Sequence, residues 1–97
     1  MKQNILRGKI LALLKKIYPD GADDITLLSI LYQYHKTDDI LASLEYVADK
    51  DYAEKKQHPH PFKEHEQVRW YKLTPKGVDL LEGNVDPDPG ILVQRGG

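Results

Sequence analysis

Between Lys55 and Arg69 the chain places seven side chains able to meet a polyanion or a metal: Lys55, Lys56, His58, His60, Lys63, His65 and Arg69. Lysine and arginine at this density neutralise phosphates and release their counterions, the source of most sequence-independent affinity for nucleic acid. The same stretch carries Glu54, Glu64 and Glu66, which fit the plainer reading of a solvated charged loop. Three of the four histidines fall here, and imidazole suits zinc or nickel. Cysteine is absent and Pro59 and Pro61 interrupt the spacing, so neither a metal site nor a cofactor is expected.

Other chemistry is thinly represented. Ser29 and Ser43 are the only serines; both lie in helix-patterned stretches, and neither sits in a Gly-x-Ser-x-Gly elbow. No Gly-rich phosphate loop follows a strand. A chain of 97 residues buries only about 60–65% of the surface its unfolded form exposes, so one core consumes most of its apolar side chains. An enzyme is not expected.

Hydrophobic residues are 40% and charged residues 30%, with a formal charge of −1. That near-neutral sum hides segments of opposite sign. Lys2, Arg7, Lys9, Lys15 and Lys16 stand without an acid in the first 18 residues, whereas Asp79, Glu82, Asp86 and Asp88 dominate the end. A polyanion partner is therefore compatible with the composition. No apolar run approaches 18 residues, and lysines break the amino-terminal apolar stretch. Neither a membrane span nor a signal peptide is expected, and a cytoplasmic location is.

The elements that must position these groups can be read from periodicity. Ile5, Leu6, Ile10, Leu13, Leu14 and Ile17 recur at helical spacing, and Pro19-Asp20-Gly21 ends that helix. Leu27, Leu28, Ile30, Leu31 and Tyr34 form a second, shorter run, with Ile25 ahead of it as a candidate short strand. A third helix is expected from Thr37, read as its N-cap, with Asp38 and Asp39 in the first turn and an apolar face of Ile40, Leu41, Leu44, Val47 and Ala48. Period 2 then takes over, predicting strands over 52–56 and 68–73 joined by an irregular, proline-bearing segment. Thr74-Pro75 opens a last helix and Gly83 closes it. Residues 1–83 are thus expected to form one α+β, mainly helical domain, and residues 84–97 a flexible tail. Leu13, Leu14, Leu31, Leu41, Leu44, Tyr71, Leu73 and Leu80 are the expected core.

Two local patterns carry a family resemblance. ILASLEYVADKDYAEK looks like the third helix of a winged helix-turn-helix domain running into its first wing strand. WYKLTPKGVDLLEG is similar to the ending of MarR-like and PadR-like transcriptional regulators. The resemblance covers roughly residues 4–83 and implies a three-helix bundle with a small antiparallel wing and a short carboxy-terminal helix. It also implies binding of double-stranded DNA, with the third helix toward the major groove and the wing on an adjacent groove or the backbone. Carried onto this chain, the expected contacts are Lys36, Thr37 and Tyr46 on the helix and Lys55, Lys56, Lys63 and Arg69 on the wing. Asp38, Asp39, Glu45 and Asp49 depart from a basic recognition helix and repel phosphates. Other domains of this fold are protein-interaction modules, the alternative function. If Tyr71 and Leu73 face the helices, Val68 and Trp70 face away, making them candidates for a homodimer or protein-partner contact.

Overall fold

Apolar residues spaced three and four apart wind Gln3–Ile17 into the first helix, α1, and bury Leu6, Ile10, Leu11 and Leu14. Leu13 lies at the edge of that stripe and is half-buried. Ile17 is on the stripe but past the end of the core, and is exposed. The computed structural model describes residues 3–93. After α1 come β1 (Gly21–Asp23), α2 (Asp24–Leu31), α3 (Thr37–Asp49), β2 (Ala53–Pro59), β3 (Gln67–Leu73) and α4 (Pro75–Glu82). This is an α+β domain of four helices and one three-stranded antiparallel sheet, in the order β1-β3-β2. No helix among the described residues is long and apolar enough to cross a membrane.

The short strand lies earlier than Ile25. Gly21, Ala22 and Asp23 pair with Lys72, Tyr71 and Trp70 of the central strand. Asp23 then accepts the Thr26 N–H at 2.7 Å, and this cap starts α2 at once, leaving Ile25 exposed in its first turn. Leu27 and Leu31 point inward.

Helix α3 also begins one residue ahead of expectation. Lys36 is its N-cap and makes no side-chain cap bond, so Thr37 is the first helical residue rather than the cap. Ile40, Ser43, Leu44 and Val47 are buried, and Leu41 is half-buried.

Strand β2 runs three residues further than its pattern indicates, to Pro59 opposite Gln67. It is an edge strand, so a proline at its last position costs no ladder bond to a further strand. The irregular segment shrinks to residues 60–66. Ala53, Tyr71 and Leu73 close the sheet's inner face against the helices. Thr74 accepts the Gly77 N–H at 3.1 Å to cap α4. Gly83, at φ 78°, ends it in the left-handed conformation glycine tolerates best.

The largest departure is the carboxy-terminal segment. Residues 88–93 pack on the domain instead of belonging to a flexible tail, while 84–87 are exposed; residues 94–97 lie outside the described residues. Ile91 is buried within the core cluster, and the Leu92 N–H bonds the Asn4 carbonyl at 2.9 Å. Gly8 of α1 lies flush against the Leu92 carbonyl, where any Cβ would collide. The Tyr52 hydroxyl donates to Asp88 at 2.6 Å, and Arg7 reaches the Gly90 carbonyl. Burial of Ile91, with Val93 half-buried beyond it, supplies a driving force that the polar surroundings obscure.

Candidate nucleic-acid interface

The β2–β3 hairpin stands out from the helices, and the molecule measures 43 × 27 × 23 Å. From Glu54 to Pro59 every residue of β2 is exposed. Strand alternation divides its cations between two faces. Lys55 and Arg69 share the inner face with Tyr71, while Lys56 shares the outer face with Trp70.

Beyond the core, the inner face overhangs α3, and its groups converge on Glu45. Lys55 Nζ lies 2.9 Å from Glu45 Oε2, Arg69 Nη1 lies 3.3 Å from Oε1, and the Tyr71 hydroxyl donates to Oε1 at 3.2 Å. The Lys55 hydrogen bond, with further help from the charges of Lys55 and Arg69, holds the Glu45 carboxyl below its ordinary value despite partial burial. Burial, then the Glu45 charge, pushes the Tyr71 phenol well above its ordinary value, so it stays a donor. This network was not legible in the sequence, where Glu45 read only as an exposed helix residue.

The remaining expected contacts are spread out. Lys56 pairs with Glu54 at 3.6 Å and Lys63 with Glu66 at 3.9 Å, all four side chains well exposed. Lys36 and Thr37 are exposed at the start of α3, about 12–14 Å along the helix axis from Glu45. Tyr46 does not join them. The Arg7 guanidinium stacks 3.5 Å over its ring, and the Gly90 backbone packs against its hydroxyl, so it is enclosed by α1 and the carboxy-terminal segment. One helical step of 100° separates it from Glu45, and that step turns it from the hairpin toward α1.

On the outer face the expected pair also divides. Val68, opposite His58, is buried outside the core cluster, so it offers no surface to a partner. Trp70 keeps partial exposure. His58 meets its ring edge-on at 5.9 Å, Lys56 sits 5.7 Å above it, and Gly21 lies directly beneath part of it. Its far edge lines a cleft of about 430 Å³ with Leu13, Ile17, Leu27 and Ile30.

The histidines do not converge. His60 turns its Nδ1 to the backbone N–H groups of Phe62 and Lys63, at 3.0 Å each. Among the described residues no group of three or more His, Asp or Glu side chains is arranged to hold a metal ion.

Compared with models of known protein families, with curated proteins and with solved structures, the chain finds no match.

Proposed function

We propose that the chain is a winged helix DNA-binding protein, a regulator of transcription whose β2–β3 hairpin is the wing. The observation that carries this reading is the hairpin itself: Lys55 and Lys56 on the exposed run of β2, Lys63 in the exposed connecting segment and Arg69 exposed on β3. Each cation is held by a carboxylate that is itself exposed to solvent by a third or more. Exposed pairs of this kind contribute about 0–1 kcal/mol, so phosphate oxygens can replace the carboxylates at little cost. Lys36 and Thr37 add contacts at the start of α3, while Asp38, Glu45 and Asp49 keep the rest of that helix from lying tightly on phosphates. Binding dominated by the wing is expected to be strongly salt-dependent and weakly selective. Titration with random-sequence duplex DNA at two salt concentrations tests it. Affinity should fall steeply with salt, and the absence of binding at low salt would exclude DNA.

A second reading, a protein-interaction module of the same fold, is favoured by the apolar cleft beside Trp70. Ile17 and Ile30 line that cleft and are 37% and 48% exposed. Sedimentation of the wild type and Trp70→Ala tests whether the cleft joins two copies. A wild-type monomer at high concentration, or an equally tight mutant dimer, excludes Trp70 as a dimer anchor.

A further inference from the structure

The most exposed large apolar side chain among the described residues is Phe62, 91% exposed at the far end of the hairpin. Its position is built rather than accidental. His60 Nδ1 accepts both the Phe62 and the Lys63 backbone N–H, and the His60 N–H bonds the Glu66 carbonyl across the turn at 2.8 Å. The His60 ring also stands edge-to-face with the Phe62 ring, centroids 6.3 Å apart. Pro59 and Pro61 bracket His60 and restrict the backbone on both sides. Much of the ordering that presents the aromatic ring is therefore complete before any partner arrives.

We infer that Phe62 is an apolar wedge that the wing tip presses against a base step of duplex DNA. The inference rests on the DNA-binding reading above. Phenylalanine inserted from the minor groove partly unstacks a step and kinks the duplex, and a single side chain suffices for this. The tip and the stem behind it supply the complementary charge. Lys63 follows Phe62 directly and Lys56 lies six residues back on the outer face, both well exposed, so these cations can meet phosphates while the tip enters the groove. A lone aromatic ring is too little apolar area to anchor the chain to a bilayer.

The experiment uses the full chain and mixed-sequence duplexes carrying 2-aminopurine beside TA steps, which unstack most readily. Wild-type binding should raise the 2-aminopurine fluorescence. Phe62→Ala should lose that signal and about five- to a hundredfold in affinity, the range for one lost aromatic–base stack, with the salt slope unchanged because no phosphate contact is removed. Phe62→Leu, still an apolar wedge, should retain part of both. If the wild type binds DNA but gives no fluorescence change, and Phe62→Ala binds equally well, the wedge is excluded and DNA binding stands. If the wild type binds no duplex at low salt, both fall, and Phe62 is left to a protein partner.

Discussion

Glu45 on α3 holds Lys55 of the hairpin at 2.9 Å, so the helix expected to approach DNA neutralises part of the wing expected to grip it. The carboxylate simultaneously receives Arg69 and the Tyr71 hydroxyl. One acidic side chain thus links hairpin to helix and, on the proposed DNA-binding reading, would compete with phosphate for two cations.

Replacing Glu45 by Gln should expose that competition. The amide can still accept from Tyr71, but it releases the charges of Lys55 and Arg69. Duplex DNA should bind up to about fivefold more tightly, because breaking the exposed pairs no longer costs about 1 kcal/mol, with the salt slope little changed because the same cations meet phosphate in both proteins. The loss of folding stability should stay near or below about 1 kcal/mol, since Glu45 and its partners are partly solvated. Unchanged affinity would show that Glu45 does not hold these cations back from DNA.

Leu44 is fully buried on α3 between the helices and the sheet. Leu44→Ala should cost about 2–5 kcal/mol in chemical denaturation, the lost transfer energy plus the cavity left behind. A variant as stable as the wild type would contradict the core assignment.

The carboxy-terminal segment makes an independent stability prediction. Ile91 is buried in the core cluster and Leu92 is bonded to Asn4. Ile91→Ala should therefore destabilise the whole domain by about 2–4 kcal/mol rather than loosen a terminus alone. Denaturation midpoints of the wild type and the variant check this, and coinciding midpoints would mean that the segment does not contribute to the core.

Acid should weaken the same anchor. The Tyr52 hydrogen bond lowers the Asp88 carboxyl below its ordinary 3.8, with the Gly90 N–H and Lys50 adding to it against the cost of burial. The unfolded chain then binds the proton more readily than the folded one. The stabilisation is complete above about pH 5 and is lost as the pH falls through the folded value. The Tyr52 phenol, pushed up to about 12 by burial and then by Asp88, remains a donor throughout this range. Asp88→Asn should cost about 1–3 kcal/mol at neutral pH, and the gap to the wild type should close as the pH is lowered below about 5 and through the folded value. A gap independent of pH would exclude the charged hydrogen bond as its source.

Elements whose signals are local were legible in the sequence. The period of α1, the Thr74-Pro75 start and Gly83 stop of α4, and the inward pair Tyr71 and Leu73 all follow from neighbours a few residues apart. What was not legible depends on distant partners. Pro59 can sit in a strand only because β2 is an edge, a property of the sheet order and not of the segment. Ile91 reads as part of a polar tail until Gly8 leaves room for the chain to lie on α1. Tyr46 and Glu45 are adjacent on α3, yet one is claimed by Arg7 and the other by the hairpin, which no periodicity distinguishes. The clustering of cations on the hairpin was visible at once, but their carboxylate partners were not.

The most direct measurement is the salt dependence of duplex DNA binding by the wild type and by a Lys55, Lys56 and Lys63 to Ala triple variant. If the hairpin grips the DNA backbone, the triple variant should bind all sequences more weakly by a similar factor, and its slope of log affinity against log salt should be shallower by up to about 3 units. Equal affinity and equal slope for the two proteins would contradict the hairpin as the DNA-binding element.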